Sequence, residues 1–443
     1  MKGSILVLGH GAREHAITET LHRSGEKPRL HAYMKANNPG IAGLCETTCL
    51  GNYDDLSKIV SYARSREVEF AVIGPEDPLN MGVVDALAEA GIPSFGPLRD
   101  LARLETSKSF TRDLLTKYGI PGNPSYGVFT DLKEIPAFLD GLAGIVVKPD
   151  GLTGGKGVMV QGDHFETKGE ALDLCAAILR EHPSVTVEER LEGEEFSLQC
   201  LCNGKTVVPT PPVQDHKRRF VGDRGPNTGG MGSYSCEDHS LPFLGPRDLE
   251  EALEITRRVA EAIHRETGRY YKGVMYGGFI ATAEGVRLLE YNARFGDPEA
   301  MNILPLMETD FVAVCRAVVA GGLEDLRVSF ARKATVCKYI VPKGYGLPAD
   351  HPDASSTAAP IEVGDVGAAR LYYASVDRRP DGLYMSTSRA IGVVGIGEDL
   401  EEAERIAEAA VSAVRGPVDH RPDIGTAALI ARRVQHMNSL RRK

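Results

Sequence analysis

The 443-residue chain has no tryptophan, and aromatic residues make up only 6% of it. Its eight cysteines form no Cys-x-x-Cys pair; the closest two, Cys200 and Cys202, would share one face of a strand. This spacing disfavours zinc and a disulfide framework, and the thiols are expected as small buried hydrophobes. No run of 18 apolar residues occurs, and the N-terminus enters Ser4-Ile-Leu-Val-Leu8 without a long apolar leader, which predicts a soluble cytoplasmic protein with no membrane partner. Basic charge is not in excess either. Lys and Arg number 51 against 61 Asp and Glu, a net charge of −10, which disfavours a general nucleic-acid binder and requires any anionic substrate to be met by local positive sites.

What is present is ordinary globular material, 42% hydrophobic, long enough for about three domains. Ile5 to Leu8 reads as a strand, Gly9-His-Gly11 as a turn, and the residues from Ala12 through Leu21 as a helix, a nucleotide-type opening. Glu14 stands where a dinucleotide fingerprint wants a small residue, and Met34-Lys35 where it wants an acid, so NAD is disfavoured. A helix over 54–66, the apolar run 70–73 and the turn Gly74-Pro-Glu76 repeat the unit, and a helix is predicted from Leu104 to about Tyr118. Two apolar strands then flank a loop with glycines at 151, 154, 155 and 157, which is a glycine hairpin carrying Lys148 and Lys156 rather than a Walker loop. Such backbone can approach phosphates closely while the lysines supply charge.

The most informative stretch is Leu288 to Met301, LLEYNARFGDPEAM. If extended, it aligns Glu290, Asn292 and Arg294 on one face before Gly-Asp-Pro breaks the strand. Hard oxygens and a guanidinium suit a divalent cation beside a carboxylate or phosphate; the same alternation also suits a solvated edge strand. Past residue 330 the pattern changes to mixed strands with one helix packed on them, with no catalytic motif and a basic tail from Arg432.

RFGDPE at Arg294–Glu299, preceded by Glu290-Tyr-Asn292, resembles the signature of the phosphoribosylamine-glycine ligase family, which belongs to the ATP-grasp ligases. Similar motifs follow in order from Gly9 to Glu299, the most specific being GPNTGGMG at Gly225–Gly232. The resemblance implies an α/β protein with an N-terminal open parallel-sheet domain (1–122), an ATP-grasp module of lid (123–192) and catalytic (193–330) α+β subdomains, and a C-terminal α+β domain (331–443). It implies ligation of glycine to phosphoribosylamine with ATP and Mg²⁺ or Mn²⁺, in a monomer or weak homo-oligomer acting on small molecules. Gly11, Arg13, Gly40 and Glu76 would serve the phosphoribosyl substrate, although His10 and Ala12 depart from the family's first loop. Lys108, Lys148, Gly154, Gly155 and Lys156 would meet nucleotide phosphate, and Glu188, Glu189, Leu191, Glu194 and Glu195 would form the hinge around adenine and its ribose. Asp215, Lys217, Asn227, Thr228, Gly229, Arg294 and Asp297 would line the glycine and phosphoribosylamine pocket. There Asp215 would take the ammonium and Arg294 the carboxylate, with Lys156 the third catalytic group. Glu290 and Asn292 would be the metal ligands. The alternatives are another ATP-grasp carboxylate–amine ligase, such as a carboxylase of the same pathway, or a nucleotide-sensing module without turnover.

Overall fold

The computed structural model describes residues 3–151, 157–348, 351–355 and 359–442. The chain opens on a five-stranded, all-parallel sheet in the order β3-β2-β1-β4-β5, built from β1 (Ser4–Leu8), β2 (Arg29–Met34), β3 (Thr47–Leu50), β4 (Phe70–Ile73) and β5 (Ser94–Phe95). β1 and β4 are buried along their whole length, as parallel strands covered on both faces must be. The strand order reverses around β1, so the loops leaving β1 and β4, Gly9–Gly11 and Gly74–Glu76, diverge at the crevice where open α/β sheets bind ligands.

The helix predicted from Leu104 is instead two, Arg103–Thr106 and Lys108–Lys117, broken at the extended Ser107 (φ −138°, ψ 111°). Ser107 caps the second helix by accepting from Phe110 N at 3.2 Å, and the Asp150 carboxylate accepts from Lys108 N at 2.7 Å. A distant acid thus starts a new helix where periodicity alone reads one continuous element.

Next comes an antiparallel sheet in the order β6-β9-β7-β8, formed by β6 (Tyr126–Phe129), β7 (Ile145–Pro149), β8 (Met159–Val160) and β9 (Val185–Glu189). β7 and β8 pair as the expected hairpin, Val147 opposite Met159, and the helix Lys168–Glu181 closes their core over Val147, Val185 and Val187. A second antiparallel sheet, β11-β10-β16-β17, contains β10 (Glu194–Cys202), β11 (Val207–Pro209), β16 (Gly273–Thr282) and β17 (Gly285–Asn292), and the helix Asp248–Thr267 packs on it.

The remaining large sheet takes β12 (Gln214–Asp215) and β15 (Gly232–Ser235) from before residue 330 and β18 (Ala334–Pro342), β20 (Arg370–Tyr373) and β23 (Ile391–Gly397) from after it. Between β12 and β15 the hairpin of β13 (Arg218–Phe220) and β14 (Arg224–Asn227) projects separately. A small sheet, with β19 (Pro360–Val363), β21 (Val376–Arg379), β22 (Gly382–Met385) and β24 (Val414–Arg415), and the helices Leu400–Val411 and Ala427–Arg441 complete the C-terminal part. Among the described residues all eight cysteines are free thiols, and no helix is long and apolar enough to cross a membrane.

The helix Leu400–Val411 seats directly on β23 at Gly395, where an added Cβ would lie 1.9 Å from Ala403 O and 2.7 Å from Ala407 N. Gly395→Ala must push the helix backbone off the sheet, at a cost of about 3 kcal/mol. A lowered denaturant midpoint is the expected result, and an unchanged midpoint would show that the helix is not held at this spacing.

Candidate active site

All four regions open onto one cavity of about 760 Å³. Its floor is β17. The β16–β17 ladder slips at Gly278/Phe279, where Leu288 pairs with Phe279 and Glu290 with Gly278, leaving Leu289 as a bulge. Leu288 and Tyr291 can therefore both enter the core while Leu289, Glu290 and Asn292 reach the cavity. Arg294 lies just beyond the strand, and its Nη2 donates to Asn292 Oδ1 at 3.1 Å.

Glu188, on β9, is a buried ion-pair centre. Arg112 donates to its two oxygens from Nε at 2.7 Å and from Nη2 at 2.9 Å, and Lys148 Nζ lies 2.7 Å from Oε2. Burial opposes ionisation, but Arg112 and Lys148 outweigh it and hold the carboxyl down at about 2. The other hinge acids differ in how far they are committed. Glu189 accepts from Ser125 N at 2.8 Å. Glu194 is taken by His436 Nδ1 at 2.6 Å and Arg433 Nη1 at 3.2 Å. Glu195 is 57% exposed at its side chain and has only Lys217 Nζ near it, at 3.6 Å. Of the four, Glu195 keeps its oxygens available to a ligand.

Glu290 has no hydrogen-bond or ion-pair partner among the described residues. Burial works against its charge, but Lys217, Lys148, Lys108 and Arg294 around it keep its carboxyl below the usual value. Lys108 donates from Nζ to Gly151 O at 2.7 Å, and burial lowers its ammonium pKa. No group of three or more His, Cys, Asp or Glu side chains converges on a metal position among the described residues. An ionised, unpartnered Glu290 with the Asn292 amide oxygen beside it fits a magnesium-like ion, which takes one or two protein oxygens and fills its remaining positions with water and phosphate.

Arg294 is gripped by two carboxylates, Glu76 Oε2 at 3.1 Å from Nε and Glu105 Oε1 at 2.8 Å from Nη2. Glu105 also accepts from Ala293 N at 2.7 Å, and burial pushes its carboxyl up to about 7 against the pull of Arg294. Asp215 lines the same cavity, and its Oδ1 is buried with no donor among the described residues. Burial, then the charge of Glu299, raises the Asp215 carboxyl well above its ordinary value. Thr228 N donates to Lys217 O at 2.8 Å and Gly229 N to Tyr345 Oη at 3.1 Å, which fixes the loop beyond Asn227, while Asp297 pairs with Arg389 at 3.0 Å.

The cavity thus collects Arg13, Glu76, Lys108, Lys148, the hinge acids with Leu191, Asp215, Lys217, Asn227, Thr228 and Gly229, and Glu290, Asn292, Arg294 and Asp297. Gly11 and Gly40 do not line it. The Gly11 amide donates to Glu14 Oε2 at 2.6 Å, so the helix terminus that resembles a phosphate-binding turn already holds a carboxylate of its own chain. Cβ atoms on Gly9 or Gly74 would each fall 2.2 Å from the Glu14 side chain, and one on Gly40 would fall 2.0 Å from the His15 ring. Gly154, Gly155 and Lys156 lie outside the described residues. The C-terminal third, which carries no catalytic motif, contributes Arg389 and Arg433 to the cavity lining. Glu105, Arg112 and these two arginines had no motif around them to mark them; each is brought in by tertiary packing.

A parallel-sheet domain, a glycine hairpin on an antiparallel sheet, and a cavity floored by a carboxylate-bearing strand define an ATP-grasp enzyme. Models of phosphoribosylglycinamide synthetase match the chain in three parts: the N domain at residues 3–105, the ATP-grasp (A) domain at 106–300 and the C domain at 335–427. The chain belongs to the phosphoribosylglycinamide synthetase family. It is 49% identical over 441 residues to the phosphoribosylamine–glycine ligase of Methanosarcina acetivorans, covering 100% of this chain and 98% of that one. To the ligase of the same name from Methanocaldococcus jannaschii it is 46% identical over 450 residues, covering 99% and 100%. The crystal structure of phosphoribosylamine–glycine ligase from Thermotoga maritima superposes with a TM-score of 0.79 at 28% identity, covering 95% of this chain and 99% of that one. A biotin carboxylase domain from Hydrogenobacter thermophilus shares the fold at TM-score 0.70 and 16% identity.

The Glu188 ion pair makes a pH-dependent prediction. Its folded pKa, about 2, lies below the ordinary 4.5, so the stability it contributes is present above 4.5 and is lost as pH falls towards 2. Glu188→Gln leaves Arg112 and Lys148 without their counter-charge and should cost about 3–5 kcal/mol at neutral pH. Denaturant titrations of both proteins from pH 7 down to 2 should show the gap narrowing below 4.5; a gap independent of pH would contradict the assignment.

Proposed function

We propose that the protein joins glycine to 5-phosphoribosylamine with ATP, releasing ADP and phosphate and forming the ribosylated glycinamide of purine synthesis, as a soluble cytoplasmic enzyme. Support comes from the full-length match to ligases of that name and, in the site itself, from a carboxylate and a guanidinium that line one cavity, Asp215, with a buried oxygen that has no donor among the described residues, and Arg294. That arrangement suits a small zwitterion. An ammonium brought to Asp215 supplies the charge that burial and Glu299 withhold, and Arg294 Nη1, which donates to Phe295 O at 3.3 Å, keeps a second N–H for a carboxylate oxygen.

Glycine's carboxylate is a poor acyl donor, so in this reading it first takes the terminal phosphoryl group of ATP to give glycyl phosphate and ADP. The amine of phosphoribosylamine then attacks the acyl carbon and phosphate leaves. No covalent bond to the protein forms at either step. The residues act by placement and charge: Lys108 and Lys148 beside the phosphates, with Lys156 of the glycine loop assigned the same task, Glu195 at the nucleotide ribose, and Arg13 with Glu76 on the phosphoribosyl side. Glu290 and Asn292 would hold Mg²⁺ or Mn²⁺, which when bound neutralises phosphate oxygens. The β7–β8 hairpin would cover the acyl phosphate from water.

Purified protein with ATP and a divalent ion should release ADP only when glycine and phosphoribosylamine are both present. Release with bicarbonate in place of glycine, or with neither substrate, would point to another ligase or to an idle ATPase. Glu290→Gln keeps the shape and removes the charge; turnover should fall by about a hundredfold or more, and the Mg²⁺ requirement should rise. Wild-type Mg²⁺ dependence in that variant, titrated at saturating substrates, would remove Glu290 from the metal site.

A further inference from the structure

We propose that Arg389, in the C-terminal part between β22 and β23, is a positioning residue that holds the amino-acid pocket to the size of glycine, an inference that rests on the ligase reading above. Its guanidinium ties together two turns that are distant in sequence. Nη1 donates to Gly230 O at 3.0 Å and to Asp297 O at 2.8 Å, while Nη2 donates to Asp297 Oδ2 at 3.0 Å. The cation lies 4.5 Å from the centroid of the Tyr339 ring, and the Tyr339 hydroxyl donates to the other Asp297 oxygen. With a side chain only 15% exposed, Arg389 makes these contacts largely out of water, where each is worth more.

The loop it grips has no slack. A Cβ on Gly229 would stand 3.0 Å from Arg389 Cζ and 3.1 Å from Tyr345 Oη. On the opposite side, a Cβ on Gly230 would stand 2.2 Å from Asp215 Oδ1 and 2.4 Å from Pro298 Cδ. The Gly229–Gly230 backbone is therefore clamped between the C-terminal part and the carboxylate proposed to receive the substrate ammonium. By holding the Gly230 carbonyl, Arg389 fixes the wall against which Asp215 rests. By holding Asp297, it fixes the turn that follows Arg294. Both ends of the proposed glycine site are thereby set by one side chain that contacts neither Asp215 nor Arg294 through a hydrogen bond.

A planar fork is needed for this. Two carbonyls, one carboxylate oxygen and an aromatic face cannot all be met by an ammonium group on a flexible stem. Loss of the fork should let the Gly229–Gly230 loop retreat, weakening the hold on glycine and making room for a methyl group at its α carbon. Loss of mere fold stability would instead affect every substrate alike.

Arg389→Met and Arg389→Lys test this in the full chain. Both should raise KM for glycine by about tenfold or more, as loss of charge-assisted hydrogen bonds does. Both should lower the preference for glycine over alanine in kcat/KM and leave KM for ATP within about twofold, with Lys failing to rescue. An unchanged glycine-to-alanine ratio, or KM values rising together, would overturn the proposal. Hydrogen exchange over residues 227–232 provides a readout free of turnover. It should quicken in Arg389→Met, and unchanged exchange would remove the positioning role. Wild-type protein without glycine-dependent ADP release would overturn the ligase reading itself, while the exchange measurement would still judge the clamp.

Discussion

The interaction on which the site depends is the buried contact of Arg112 with Glu188. Arg112 belongs to the helix Lys108–Lys117, Glu188 to the β6–β9 sheet, and the carbonyls of Leu288 and Leu289, which Arg112 also meets at 2.9 and 2.8 Å, to the cavity floor. Lys148, from β7, donates to two of these oxygens, Glu188 Oε2 and Leu289 O. The β17 bulge is what makes this possible. It takes Leu289 out of the ladder, so that its carbonyl is available as an acceptor for two buried cations, and it shifts the side-chain alternation that sends Glu290 into the cavity. Removing any one partner leaves charge uncompensated away from water, so a shift of any of these elements that parts the cluster is costly.

A second set of ion pairs does the same from the C-terminal end. Arg433, on the last helix, reaches both Glu194 at the start of β10 and Asp223 in the β13–β14 hairpin, and Arg421 meets Asp223 at 2.8 Å. The hairpin that leads into Asn227 and Thr228 is thus fastened to residues some two hundred positions later. With Arg389 this makes the C-terminal part a wall of the cavity, a role continuous with its supplying β18, β20 and β23 to the sheet that begins with β12 and β15.

Much of this arrangement was legible in local sequence, and the parts that were not share a cause. The two-residue spacing of Glu290 and Asn292, the pairing of the two strands on either side of the glycine loop after Lys148 and the strand–turn–helix opening all depend on near neighbours, and each is found as expected. The break at Ser107 depends on Asp150, the neutralisation of Glu188 on Arg112, and the filling of the first glycine turn on the Glu14 carboxylate, which a sequence shows only as an acid in a helix's first turn. Arg389 follows Ser388 in a loop with no pattern at all. Side chains that act on partners far away in the chain carry no spacing for a reader to find, and charged ones least of all, since a lone Arg in a sequence looks like solvated surface.

The charge of the cavity follows from the same pairing. Among the described residues that line it, ten Lys and Arg face thirteen Asp and Glu. A phosphate-rich substrate cannot be drawn in by bulk positive potential under those conditions. What the pairing does is consume the acids unevenly. Glu188, Glu194, Asp223 and Asp297 are each bound to at least one arginine, and Glu76 and Glu105 share Arg294, whereas Glu290 keeps its charge with three lysines around it and no direct partner. In the proposed function an ionised carboxylate left open among ammonium groups would take a cation shared with phosphate, and the lysines around it would turn to the phosphate oxygens. For the proposed nucleotide, a net acidic chain and an anionic substrate are compatible because the decisive charge is local, and because part of it would arrive with the substrate as its divalent ion.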